Sequence, residues 1–416
     1  MNENWLFWWN RVREKLWVKP MAICLLSIAA AFIATLADGS GMERWIPDIS
    51  TASIEKLLDI VSSTNLVIAM FSVGSMVSAY ASAAGSATPR SFPLVVADDS
   101  SQYALSTFIG TFIFSVVALI ALKNGYYEKA GLFTLFVLTI VVFALVILAF
   151  LRWVDSIARL GRIGNTIDKV ELAASNSFAQ RLAMPHLGGK PLHGEALDGQ
   201  PVFLPTIGYL QKVDMLALQN ACAKAGLTMS VLSLPGAFCT PNRPVARIHS
   251  VKLLEAEQMK TFVQAFTVAD QRTFDQDPRF GVVVLCEIAS RALSPAVNDP
   301  GTAIDVIGTL VRLFHLWANY EIDPDFQPPY PLINVPDIHE EDLFDDAFTG
   351  IARDGAGAVE VGIRLQKAFE AMAEFEDEPI RKASIRQSRL ALARSEKVLS
   401  LPQDLDAVRA AAAFAS

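Results

Sequence analysis

The chain has 416 residues, enough for two or three domains, and it is 52% hydrophobic against 19% charged. Its mean hydropathy of +0.35 excludes a single soluble globule and puts part of the chain in lipid. A formal net charge of −8 and an isoelectric point near 5.3 provide no basic field, and no Lys and Arg run interleaved with aromatics occurs, so nucleic acid is excluded as a partner.

The first twenty residues carry Trp5, Trp8, Trp9 and Trp17 with Arg11, Arg13, Lys15 and Lys19. That mixture predicts an amphipathic segment at the headgroup layer, rings at the interface and cations toward anionic lipid. The first span follows at about residues 21–37, with no cleavage pattern before it, so it is expected to be retained. An acidic loop from Asp38 to Asp59 leads to the second span, about 60–83, which is rich in serine, glycine and alanine. Asn65, Ser72, Ser75, Ala79, Ser82 and Ser86 recur at steps of seven, three and four and share one helix face. Gly74, Ser78 and Ser82 add small-xxx-small spacing, which lets helix backbones approach closely. Two readings follow for this face: a hydroxyl-lined pore, or a tightly packed interior helix.

Thr88-Pro89-Arg90 ends that helix; the third span is expected at about 103–122 and the fourth at about 131–151. Of the fourth span's twenty-one residues, sixteen are Leu, Ile, Val or Phe; at roughly −0.3 to −0.6 kcal/mol each near the centre, insertion is favourable and the helix faces lipid. None of the four cores contains Asp, Glu, Lys, Arg or His, which argues against a proton-coupled carrier. Nine Lys and Arg flank the spans on one side and four on the other. The positive-inside rule therefore predicts both termini in the cytoplasm.

Arg152 to Ser177 reads as a charged amphipathic continuation of the fourth span, and a Gly- and Pro-rich stretch around 188–205 marks a domain boundary. Residues 196–250 read as a small α/β unit: strand 207–213, helix 215–225, strand 227–234, Pro235-Gly236, strand 244–248. Its LPGAFCTPNRPVARI piece has the turn spacing of a compact barrel edge, similar in shape to segments of biotinyl and lipoyl domains. Residues 251–323 form a helical domain, beginning with a helix over 253–270. A proline-rich linker over 324–336 follows, then an acidic amphipathic helix from Glu340 to Phe375 and a basic one from Arg381 to Leu399, whose opposite charges predict that they pair.

The most specific stretch is Asp277 to Ile307. Glu287 and Arg291, four apart, support a helix; Pro295 ends it; Asp299 caps the next helix, with Pro300 at its first position. Ser294, Asn298, Asp299 and Thr302 meet at a polar corner that either receives an anion or polar ligand or only satisfies its own helix ends. Asp275 and Asp277 read as a turn and cap rather than metal ligands. The five histidines show no paired-ligand spacing, and the four cysteines, with no metal spacing, read as apolar fillers in a reduced compartment. No nucleophile elbow, phosphate loop or dinucleotide fingerprint occurs, so neither a catalytic residue, a metal nor a cofactor is assigned.

Several segments resemble the domain-of-unknown-function 2254 family of bacterial membrane proteins: Thr88 to Arg90, Phe108 to Phe112, Gly208 to Asp214, Pro235 to Phe238 and, most specifically, Arg291 to Ala303. The resemblance covers most of the chain and implies a four-span inner-membrane protein with a cytoplasmic C-terminal domain; it brings no established activity. The expected class is a membrane α-helical protein with a cytoplasmic, mixed α/β but mostly helical C-terminal region. The leading functional expectation is a homo-oligomeric channel or passive transport protein for a small ion or solute, with that region gating or sensing. The alternative is a membrane-tethered ligand-binding or scaffold protein, and third a lipid-acting membrane enzyme.

Overall fold

The computed structural model describes residues 18–36, 38, 47–86, 88–96, 99–194, 198–321 and 325–415. The interfacial segment expected over residues 1–20 lies outside the described residues but for its last three. Contacts divide the chain into two compact units, 1–166 and 167–416.

In the first unit, four helices are long and apolar enough to cross a bilayer: α1 (Val18–Leu36), α2 (Thr51–Ser86), then, after the short α3 (Phe92–Val96), α4 (Asp99–Lys123) and α5 (Lys129–Arg159). α2 has 36 residues, about 54 Å of helix, well beyond the apolar run legible in the sequence, because helical backbone extends through the polar flank before it. The interior helix is α4 rather than α2. Half of its most apolar window is buried, against 11% in α1, and it packs on α1, α2 and α5. Ile54, Leu58, Phe114, Ala118 and Leu135 form one apolar layer; Ala69, Phe108, Val146 and Trp153 form another. The Asp38 carboxylate accepts hydrogen bonds from the N–H groups of Glu128 (3.0 Å) and Gly131 (2.5 Å), satisfying donors at the start of α5. As expected, most of the outer face of α5 is exposed, including Leu145, Leu148 and Leu151.

α5 does not run on to Ser177. It stops at Arg159, and α6 (Ile163–Ala183) begins after a turn through Gly161, whose φ of 91° lies in the region that L side chains avoid. Ala79 O lies 3.3 Å from where a Cβ on Gly161 would stand.

The second unit combines two small sheets with a helical bundle. Its strands are β1 (Lys190–Pro191), β2 (Gln200–Val202), β3 (Gly208–Val213), β4 (Thr228–Val231), β5 (Phe238–Cys239), β6 (Ala246–His249), β7 (Phe266–Ala269) and β8 (Ile333–Val335). One sheet has the order β1-β8-β4-β6-β2 and the other β5-β3-β7. α7 (Met215–Ala225) starts where the sequence places it, because Asp214 accepts from Ala217 N–H at 2.9 Å, and it stops at Gly226 in the left-handed conformation.

The expected 196–250 unit is incomplete by itself. β8, in the stretch read as a proline-rich linker, lies inside the five-stranded sheet parallel to β4, with Met229 opposite Ile333. Residues 253–270 are not one helix: α8 (Ala256–Gln264) is followed by β7, which pairs with β3. The barrel-edge segment is shared between the sheets, β5 going to one and β6 to the other.

The bundle comprises α9 (Pro278–Ala292), α10 (Pro300–Ala318), α11 (Glu340–Asp354), α12 (Val359–Ala373), α13 (Glu378–Val398) and α14 (Pro402–Ala411). The acidic helix expected from Glu340 to Phe375 is two, broken between Asp354 and Val359. Phe314, Phe344, Phe348 and Phe369 pack ring against ring, with centroids 4.3 to 5.8 Å apart, and bury the apolar faces of α10, α11 and α12. The acidic α11 and basic α13 do pair, with Arg386 and Gln387 both reaching Asp345.

Candidate ligand-binding site

The polar corner between α9 and α10 is a capping structure on the surface. Thr302 donates to the Asp299 carboxylate from its backbone N–H (3.1 Å) and its hydroxyl (2.6 Å), and these bonds hold the Asp299 carboxyl below its ordinary range. The Ser294 hydroxyl donates to Arg291 O at 2.7 Å. Asn298, with φ of 50°, turns the chain so that Asp299 N–H reaches Ala292 O at 2.8 Å. Asn298 and Asp299 are exposed, Thr302 is buried, and Glu287 and Arg291 lie one turn apart on α9. The corner residues are thus brought together, and the Asp299 carboxylate is engaged by the cap.

The small-residue face of α2 is divided. Asn65 and Ser72 are buried, Ser75 and Ala79 half-buried and Ser82 exposed, while the Ser86 side chain lies outside the described residues. The buried members turn their donors onto their own helix: Asn65 Nδ2 donates to Val61 O and Ser72 Oγ to Ile68 O, both at 2.8 Å.

A cavity of about 260 Å³ lies in the second unit, lined by residues far apart in sequence. Arg181 and Leu182 come from the last turn of α6, Trp317 and Ala318 from the last turn of α10, Glu340 from the first turn of α11, and Asp377 from the cap of α13. His186 and Asp337 complete the wall. Two helix C-termini and two N-termini therefore converge, placing partial charges of both signs around one space. Trp317 lies some fifteen residues beyond Thr302, so about 22 Å of α10 separates this cavity from the polar corner.

Arg181 is the unusual member. Its residue is 8% exposed, and among the described residues it forms no ion pair; its Nη2 donates to Gln276 O at 3.1 Å. Burial pushes its guanidinium down to about 10, with the Asp277 charge pulling the other way. Asp277 itself is committed elsewhere: it is 2% exposed and takes a bidentate pair of bonds from Arg272, at 2.7 and 3.0 Å. Asp277 does stand at the N-cap of α9, as expected, but its side chain is spent on Arg272 rather than on a capping bond. Across the cavity, burial pushes the Glu340 carboxyl up, and Trp317 Nε1 points at it from 3.4 Å. His186 has a φ of 53°, as Leu187 has 57°, a strained pair of non-glycine residues of the kind that gathers at functional sites. His186 Nδ1 stands 3.1 Å from Asp337 Oδ1, yet no hydrogen-bond geometry engages it.

Sequence reasoning missed this cavity. Its members come from four separate segments, and no spacing rule links an arginine at the end of one helix to a tryptophan at the end of another. The local signal was the Pro185-His186 dipeptide before two glycines, which reads as a turn.

The family described as "Predicted membrane protein (DUF2254)" matches residues 13–371. Similar curated relatives include an uncharacterised protein of Mycobacterium tuberculosis and one of Mycobacterium bovis, each 30% identical over 148 residues, covering 32% of this chain and 28% of the relative. The chain thus aligns with well under a third of the length of those relatives. No solved structure matches.

Proposed function

We propose, starting from the fact that this chain belongs to the DUF2254 family of predicted membrane proteins, that it is a membrane-tethered binding protein. In this reading the four apolar helices hold the second unit at the bilayer, and its cavity receives a small polar ligand. The observation that carries it is Arg181: a charge taken out of water is costly unless it is paired, and the nearest carboxylate, Asp277, is already clamped by Arg272, which leaves a place for a ligand's anionic group. The nine-to-four excess of flanking cations supports both termini and the binding unit on the cytoplasmic side of a bacterial inner membrane.

This reading is favoured over a homo-oligomeric channel lined by α2. Two polar members of that face, Asn65 and Ser72, are buried within the subunit and bonded to their own helix, so they are poorly placed to line a shared axis. The test is a thermal-shift screen of small polar solutes on the full chain in nanodiscs, wild type beside Arg181→Lys. A ligand at about one hundred times its Kd stabilises by about 2.7 kcal/mol. The expected result is a solute that raises the melting temperature of the wild type and not of the variant. Solute flux in reconstituted vesicles that Ser72→Leu abolishes, with no stabilising solute found, would return the channel reading.

A further inference from the structure

We infer that the cavity between the ends of α6, α10, α11 and α13 binds a small zwitterion, its anionic group on Arg181 and its ammonium among Glu340, Asp337 and Asp377. This deepens the binding reading above and rests on it. Arg181 supplies the anion subsite. Its planar guanidinium has five N–H donors, of which one is engaged by Gln276 O. A ligand that was only an anion would face three carboxylates lining the same space as one arginine, and like charge disfavours it. A ligand that was only a cation would leave the buried guanidinium unmatched.

A molecule carrying both charges satisfies both sets. The side chains rather than the helix ends set this orientation, since Arg181 sits at the C-terminus of α6 while Glu340 and Asp377 sit at the N-termini of α11 and α13 and outweigh the partial charges there. Trp317 lines the cavity beside Glu340 and gives an ammonium an aromatic face. The volume of about 260 Å³ falls below the range of drug-sized sites and suits a ligand of amino-acid dimensions. The shared chemistry, a carboxylate or phosphate joined to a primary ammonium by a few atoms, occurs in free amino acids and in ethanolamine phospholipid headgroups.

The test is calorimetric titration of the full chain in nanodiscs of phosphatidylglycerol, which holds no ammonium. Leucine and sn-glycero-3-phosphoethanolamine are the zwitterions; 4-methylvalerate and isopentylamine are leucine lacking one charge or the other. The inference expects at least one zwitterion to bind about tenfold or more tightly than both single-charge analogues. Preference for leucine assigns the free amino acid, and preference for the glycerophosphoethanolamine assigns the headgroup. Asp337→Asn, at an exposed position, and Glu340→Gln should weaken the zwitterion several-fold and leave 4-methylvalerate unchanged or tighter, with the melting temperature held. If 4-methylvalerate binds as well as leucine, the zwitterion is wrong while the binding reading stands. If none of the four binds a protein that melts normally, the inference fails; the binding reading then rests on whether the broader screen finds a solute that depends on Arg181.

Discussion

The buried pair Arg272–Asp277 is the sharpest test of how the second unit is held together. Asp277 is 2% exposed at the start of α9, and Arg272 clamps both its oxygens while stacking its guanidinium 5.2 Å from the Phe280 ring. Arg272→Met leaves the carboxylate buried without its main partner. Breaking such a pair costs about 3–5 kcal/mol, and losing the cation–π contact adds about 0.5–1 kcal/mol. Asp277→Asn should cost less, about 1–3 kcal/mol, because the amide oxygen still accepts from Arg272, whose side chain keeps some contact with water. The double variant should lose less than the sum, by about 1–3 kcal/mol.

The pH dependence has a definite sign. Burial already holds the Asp277 carboxyl above its ordinary value in spite of Arg272, and removing the cation raises it further. A carboxyl raised in this way adds stability below its unfolded value of about 3.9 and loses it as pH rises through the folded value. The deficit of Arg272→Met should therefore shrink as pH falls from 7 toward 5. Thermal unfolding of the full chain in detergent, with a drop of about 8–16 °C at pH 7 for a loss near 4 kcal/mol, measures it. Equal losses for the two single variants, strictly additive and independent of pH, would refute the reasoning.

Asp299→Asn should melt within about 0.5 kcal/mol of the wild type and Asp299→Ala should lose about 1 kcal/mol, since the carboxylate's bonds are those of a cap; a large loss for the asparagine variant would show another role. Its depressed carboxyl means that this small contribution is present at neutral pH and fades as pH falls through the folded value. Gly161→Ala should lower stability by about 1–3 kcal/mol, because alanine is strained at a φ of 91°; unfolding in detergent checks it. In the membrane unit, Leu135→Ala, at a fully buried site, should cost about 2–5 kcal/mol. Leu148→Ala, 52% exposed, should stay within about 0.5 kcal/mol.

The sequence by itself determined what depends on local chemistry. Twenty-residue apolar runs can satisfy their backbone in lipid only as helices, so four spans were legible, and so was the stop and restart at Pro295, Asp299 and Pro300, whose caps act over three residues. The limits of α7 were legible for the same reason, with Asp214 and Gly226 at its ends. What the sequence left undecided depends on partners distant along the chain. Residues 324–336 read as a linker because proline and polarity dominate there, yet Ile333 and Val335 complete a sheet whose other strands lie about a hundred residues earlier. The strand 266–269 carries too few residues for a period of two to outweigh the helix before it, and only its pairing with β3 decides it. Asp277 is a cap by position, but only the tertiary structure gives its carboxylate to Arg272. The cavity is the extreme case: Arg181, Trp317, Glu340 and Asp377 become one environment only when four helix ends meet, and the burial that makes Arg181 unusual is a property of the packed interior rather than of any stretch of chain.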